Sequence, residues 1–542
     1  MDERAAAELA PTEYCMSNFS RDRSLSALVL CSVLLLALAA CDAQKPPYAD
    51  AGSSGRSGSK PGTGSGSGDP PVGGPNESDA AVDDAGSVAN SSAVPEFEGL
   101  PLAGVPYGMP PQGCTEGSSG DELVLQLDTQ IKSLLLTAAN GVLQANGIAC
   151  TSVKAPKSVK ILGTAAADTV IIDFSQEPFP SSLLSGTISI DPSTGSAKDT
   201  VAVAFTVGAD DVHLGTMKTT TLIGAGKAFP RVSVVNQEVT IVSTGPGEDT
   251  IDATGGGEFG APLLAGVTMY GGADADVMQG GIGSDVLHGG SGDDLFKTAA
   301  AKDGGDVYDG GDDEDTLSYE LRVSPVTVRV DRVANDGDTN ENDDVQNTVE
   351  VLIGGKGADT IVGGDADNVL IGGPGNDTLS GGAGDDWFVE SAAAAGSDIM
   401  NGGDGSDTID YGERADDLDV SLCVANLVTC TTGACGCAAD DGSSGEKDTL
   451  VGIENAITGS GDDTLVGSAA DNLLRGGPGN DVVRGEAGND YIYGEEGNDA
   501  LYGGDGDDLL DGGPGNDSLD AGGGEGDICV YTKVETAISC EL

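Results

Sequence analysis

Residues 458–520 read TGSGDDTLV GSAADNLLR GGPGNDVVR GEAGNDYIY GEEGNDALY GGDGDDLLD GGPGNDSLD, seven nonapeptides in succession without a slip. Glycine favours positions one, two and four, Asp or Asn holds position six, and position eight is always apolar. Such a unit reads as a tight six-residue loop followed by a three-residue strand. Glycines allow the loop its positive φ values and close backbone approaches. Leu465, Leu474, Val483, Ile492, Leu501, Leu510 and Leu519 occupy position eight and are expected to point inward, stacked as a thin aliphatic core.

The same unit recurs further upstream. Residues 354–389 read GGKGADTIV GGDADNVLI GGPGNDTLS GGAGDDWFV, and residues 271–297 read GGADADVMQ GGIGSDVLH GGSGDDLFK. A longer duplication overlies these arrays. Residues 289–319 match residues 381–411 at a constant offset of 92 without a gap. Each copy is followed by a β-rich insert, with Val326-Thr-Val-Arg-Val330 in the first and Leu418-Asp-Val-Ser-Leu422 in the second.

These glycine- and aspartate-rich nonapeptides resemble the calcium-binding repeats of the RTX, or haemolysin-type, proteins. The resemblance implies an all-β fold, a parallel β-roll or β-solenoid in which two units make one turn. Loops eighteen residues apart would then lie above one another. It also implies Ca2+ as the bound ion, held by the sixth-position carboxylates of stacked loops together with backbone carbonyls. The residues so assigned are Asp276, Asp285, Asp294, Asp359, Asp377, Asp386, Asp463, Asp481, Asp490, Asp499, Asp508 and Asp517. Pairs such as Asp481 with Asp499, Asp490 with Asp508, and Asp499 with Asp517 would share ions. Asn368 and Asn472 replace the aspartate and lose a charge, so sites there are expected to be weaker or empty.

Composition agrees. The chain of 542 residues contains 86 glycines and only 4% aromatic residues, too few large side chains for a broad globular core. Its formal charge is −64, from 89 acidic against 25 basic residues. Nucleic acid is therefore excluded as a partner, because phosphate binding needs clustered Lys and Arg. A row of aspartates at one spacing would repel itself, which points to waiting cations.

The N-terminus reads as an export signal. Arg21 and Arg23 precede an apolar run from Leu25 to Ala40, too short for a membrane-spanning helix, and Leu38-Ala39-Ala40-Cys41 closes it. Those four residues resemble a bacterial lipobox, which implies lipidation of Cys41 and a membrane partner through that anchor. The expected location is the cell surface or extracellular space, anchored to the envelope, with a surface or matrix ligand whose identity the sequence does not give.

The expected organisation is then a signal peptide with its lipobox cysteine (1–41), a disordered Gly/Ser/Pro linker (42–95), and a β-rich, solenoid-like region (96–243). A first array (244–297), an insert (298–353), a second array (354–389) and a cysteine-containing insert (390–457) follow. The third array (458–520) and a C-terminal cap with two cysteines (521–542) complete the chain. In the middle region, Leu162-Gly-Thr-Ala-Ala-Ala-Asp168-Thr-Val170 aligns with Ile353 to Ile361, which reads as a degenerate solenoid, with a separate β-sandwich as the alternative. Eight cysteines lie beyond Cys41, an even number that favours bridges in an exported chain. Proximity suggests Cys114 with Cys150 and Cys529 with Cys540, leaving Cys423, Cys430, Cys435 and Cys437 to pair among themselves or to hold zinc.

No catalytic motif emerges. The sequence has no H-E-x-x-H and no G-x-S-x-G, and Gly224-Ala-Gly-Lys227 is followed by Ala, unlike a phosphate-binding loop. His213 and His288 are its two histidines and read as structural or surface residues. The expected function is that of a non-enzymatic, calcium-binding surface or matrix protein, structural or adhesive. The alternative is an RTX-type enzyme or toxin with a catalytic or substrate-binding region at about 100–240.

Overall fold

A computed structural model describes residues 115–540, apart from 423–440 and a set of short stretches lying mostly between 117 and 238. Every regular element among the described residues is a β-strand, from Thr115–Glu116 to Thr536–Ile538. Almost all pair in parallel. The chain winds as a two-faced solenoid, and each turn adds one strand to each face.

One face is continuous. Its long sheet runs through the three-residue strands Val369–Ile371, Trp387–Val389, Thr408–Asp410, Asn455–Ile457, Leu473–Arg475, Tyr491–Tyr493, Leu509–Asp511 and Ile528–Val530. Register is strict: Leu474 lies opposite Ile492, and Ile492 opposite Leu510. Because side chains alternate along a strand, every central residue of a triplet faces the same way. All seven position-eight residues of the last array are fully buried. Each contributes roughly 1.5–3 kcal/mol of apolar burial.

The opposite face is broken into three sheets of ten, six and seven strands. The second begins where Val326–Arg329 pairs antiparallel with Gly337–Asp338, and the third where Leu418–Ser421 pairs antiparallel with Gly442–Ser443. The inserts therefore start new sheets on one face while the other runs on unbroken.

Upstream of the arrays the winding is already established. Glu122–Gln126, Ser158–Leu162, Thr187–Asp191 and Arg231–Val235 stack in parallel on the long sheet, so this stretch forms the first turns of the solenoid and no separate sandwich. Two turns depart from the rule. Ser133–Ala139, Val142–Ala145 and Ile148–Ala149 form an antiparallel meander on one face, and Asp211–Met217, Thr220–Ala225 and Arg231–Val235 form another on the opposite face, each placing three strands where most turns place one. Phe174, Phe179, Phe205 and Phe229 gather nearby, with ring centroids 4.6–5.7 Å apart. They fill an interior that mostly aliphatic side chains fill elsewhere.

Candidate calcium-binding ladders

Each nonapeptide loop sits at an edge of the solenoid, immediately before a strand. Its first glycine is fixed by crowding. A Cβ added to Gly485 would meet the Oδ2 of Asp490 and, at 2.7 Å, the carbonyl oxygen of Gly503 one turn on. The same collision with the sixth-position carboxylate arises at Gly476, Gly494, Gly503 and Gly512. The absent side chain leaves a small space that a carboxylate oxygen and, on one edge, a carbonyl oxygen from the next turn both face.

The aspartates form two columns. On one edge, the backbone N–H of Asp463 donates to Asp481 Oδ1 at 2.8 Å, Asp481 to Asp499 at 2.9 Å, and Asp499 to Asp517 at 3.0 Å. On the other, Asn472 donates to Asp490 and Asp490 to Asp508, both at 2.9 Å, and Asp508 to Asp527 at 3.1 Å. Asp276 donates in the same way to Asp294 (2.8 Å), and Asp359 to Asp377 (2.7 Å). Asp285 receives the N–H of Val267, and Asp386 that of Asn368, each at 2.8 Å. One oxygen of each carboxylate thus ties its loop to the turn before.

The second oxygen decides what the columns can do. Oδ2 of Asp276, Asp294, Asp377, Asp386, Asp463, Asp481, Asp490, Asp499, Asp508 and Asp517 is buried and accepts no hydrogen bond. Asp285 and Asp359 differ, since their Oδ2 atoms accept the N–H groups of Gly281 (2.7 Å) and Gly355 (2.6 Å). Leaving a charged acceptor buried without a partner is costly. Burial pushes the Asp276 carboxyl up to about 8 and those of Asp294, Asp377, Asp386 and Asp481 to about 7. Burial likewise raises Asp490 and Asp499 to about 6, with Asp508 and Asp517 respectively adding to the rise. A cation beside each row would reverse that balance.

Calcium takes six to eight hard oxygen ligands. Among the described residues no three Cys, His, Asp or Glu side chains converge on one point, so backbone carbonyls must supply much of any shell. The Asp490 Oδ2 with the Gly503 carbonyl, and the Asp508 Oδ2 with the Ala521 carbonyl, are donor sets of that kind. The residues present fit the ion, and when bound it supplies two positive charges to each row.

The family model described as the RTX calcium-binding nonapeptide repeat (4 copies) matches residues 268–296, 351–388, 392–418, 457–492 and 493–528. This chain carries RTX calcium-binding repeats. RTX repeats bind Ca2+, and proteins that carry them are typically exported or extracellular. A search of curated proteins finds no match to the chain.

These RTX columns extend beyond the unbroken nine-residue count. The N–H of Asp294 donates to Asp315 (2.9 Å) and that of Asp386 to Asp407 (2.9 Å), across a spacing of 21 residues. Asp306 and Asp398 are equivalent rungs on the other edge. The first two arrays therefore run a further turn, into stretches assigned above to inserts. A three-residue extension hid them. Its signal lay in Gly310-Gly-Asp-Asp-Glu-Asp315 and Gly402-Gly-Asp-Gly-Ser-Asp407, which keep the loop pattern. Asp249 and Asp527 also belong to the columns.

Asn368 and Asn472 are less a weakened rung than a different one. Their Nδ2 atoms donate to the carbonyls of Glu350 (3.2 Å) and Glu454 (2.6 Å), and their Oδ1 atoms accept the N–H groups of Gly364 and Ser468 (both 2.7 Å).

Outside the columns, Cys529 and Cys540 form a disulfide, and Cys150 is disulfide-bonded as well. Cys114, Cys423, Cys430, Cys435 and Cys437 lie outside the described residues, as does Cys41 with the leader. His213 sits between Asp211 and Asp252, and His288 pairs with Asp309 at 3.0 Å beneath the Tyr270 ring, all on outer faces.

Proposed function

We propose that this chain is an exported calcium-binding protein of the cell surface or matrix, held to the envelope by a lipid on Cys41 and serving a structural or adhesive role without catalysis. Its repeats fold on meeting external calcium. The observation that carries this reading is the row of buried Oδ2 atoms without hydrogen-bond partners. Charge supports it. Residues 458–520 hold fifteen Asp and Glu against Arg475 and Arg484, a net charge of −13. Stacking the loops without cations sets like charges close together in partly desolvated surroundings, where repulsion costs several kcal/mol. Three-residue strands and a thin core do not offset that together with the ordering entropy of so many glycines. Binding to the folded state alone becomes folding free energy, about 2.7 kcal/mol per site at a hundredfold excess over the dissociation constant. Low cytoplasmic calcium would keep the repeats open for export.

Far-UV circular dichroism of a fragment spanning 458–542, titrated with calcium and with magnesium as control, tests the reading. β-structure should appear cooperatively with calcium only, and Asp490→Ala or Asp499→Ala should raise the midpoint. A fragment equally folded in chelator would make the repeats a scaffold that needs no metal.

A further inference from the structure

Two arginines are buried deep in this acidic solenoid, and both sit where an insert begins. The Arg322 side chain is 1% exposed. Its guanidinium grips Glu341 bidentately at 2.9 and 2.8 Å and donates to Asp303 at 2.8 Å. Three residues earlier, Tyr319 donates its hydroxyl to Asp343 Oδ2 at 2.8 Å. Asp343 is the last rung of a column, for Asp285 donates to Asp306 (2.8 Å) and Asp306 to Asp343 (2.9 Å). The Tyr308 hydroxyl makes a longer bond of the same kind to Asp306 Oδ2 at 3.3 Å, so in this run tyrosine protons meet the oxygen that most rungs elsewhere leave unpaired.

The second insert repeats the arrangement. Arg414, also 1% exposed, holds Glu446 bidentately at 3.0 Å and donates to Glu390 at 3.0 Å. Tyr411 donates to Asp448 Oδ2 at 2.9 Å, and Asp448 ends the column of Asp359, Asp377 and Asp398. One detail separates inheritance from requirement. The offset of 92 residues pairs Thr298 with Glu390 and Asp303 with Ala395, so the carboxylate on the far side of the guanidinium comes from a different position in each copy. The carboxyl group is kept although its source has moved. A buried guanidinium is tolerated only when paired and hydrogen-bonded, and here two carboxylates take its terminal nitrogens while Nε stays buried without a partner.

The other edge is interrupted at the same turns. There the N–H groups of Asp315 and Asp407 donate to the longer side chains of Glu350 and Glu454, each at 3.0 Å, and the amides of Asn368 and Asn472 take the next rung. At each insert one column thus ends on an aspartate whose second oxygen takes a tyrosine proton, and the other passes through a glutamate carboxylate to an asparagine amide.

We propose that Tyr319 with Arg322 and Glu341, and Tyr411 with Arg414 and Glu446, are calcium-independent clamps that divide the solenoid into three blocks loading calcium separately. The guanidinium and hydroxyl supply at these turns the positive charge and protons that the other turns draw from the ion. The inference rests on the calcium reading above and refines it.

Hydrogen exchange of the full chain, read by mass spectrometry in chelator and across a calcium titration, tests both parts. In chelator, peptides covering 319–345 and 441–451 should exchange at least about tenfold more slowly than peptides from 458–520. Arg414→Gln should abolish that protection at 441–451 and leave 319–345 unchanged, and Tyr411→Phe should weaken it in the same place. Asp490→Ala should move the calcium midpoint of 458–520 and leave that of 359–407 where it was. Clamp peptides that exchange as fast as the arrays in chelator would overturn the clamps, and a midpoint shifting in both arrays would overturn separate loading. Arrays equally protected with and without calcium would instead overturn the calcium reading itself.

Discussion

A single amide shows how finely each rung is matched to its neighbour. Asn472 looks in sequence like a lapsed aspartate, a rung short of one charge. In the structure, Glu454 turns its carbonyl toward it, and the Asn472 Nδ2 donates there at 2.6 Å while Oδ1 accepts from Ser468 at 2.7 Å. A carboxylate can accept the second bond but cannot donate the first. Asn472→Asp should therefore bind no additional calcium and should cost about 1–3 kcal/mol in saturating calcium, the penalty of setting a buried acceptor against a carbonyl. Denaturant midpoints and a count of bound calcium check this. A variant that gains an ion and loses no stability would return Asn472 to the status of an empty calcium site. The substitution itself was legible in the sequence. Its reason was not, because it depends on how the Glu454 backbone is turned, one coil away at the end of an insert.

At the scale of the strand and loop, the nine-residue spacing disclosed nearly everything that repeats. The inward set from Leu465 to Leu519 followed from position eight alone, and all seven are buried. What the spacing missed was what breaks period, the three-residue extensions before Asp306 and Asp398 and the meander of Asp211–Met217 and Thr220–Ala225. The columns these elements build have a definite response to pH. Burial raises Asp481 to about 7 and Asp490 and Asp499 to about 6, above the ordinary value of 3.8 that the unfolded chain keeps. Without metal the folded form therefore binds more protons than the unfolded one through this window. Its stability is greatest toward pH 4 and is lost as pH rises through the raised values. In chelator, circular dichroism of the repeats should show β-structure growing as pH falls from about 8 to about 5. In calcium the trend should reverse, with the half-saturating concentration rising as protons compete for the same carboxylates. A chelated protein equally unfolded at both pH values would mean that carboxylate repulsion is not what holds the metal-free repeats open.

For the whole molecule, one property dominates: a charge of −64 carried on a chain whose stacked repeats bind calcium. Such a chain is suited to fold where calcium is plentiful, and the sequence before the solenoid reads as the means of getting there. Arg21 and Arg23, the apolar run from Leu25 to Ala40 and the closing Cys41 have the layout of an export leader, and residues 42–95, rich in Gly, Ser and Pro, lack any apolar periodicity that would build a core. A tether directly behind a lipid would hold the calcium-binding part away from the membrane while keeping it at the cell. Cys41 is the residue on which this depends, because a cleaved leader without lipid would release the protein. Cells supplied with a fatty-acid analogue should incorporate the label into the wild-type chain, and Cys41→Ala should lose the label. The unlabelled variant should then appear in the medium or soluble envelope fraction while the wild type stays with the membranes. Calcium should alter neither result, since the anchor precedes the repeats and does not use them. Equal release of both forms into the medium would show that the leader exports the protein without anchoring it, and would leave adhesion to the solenoid alone.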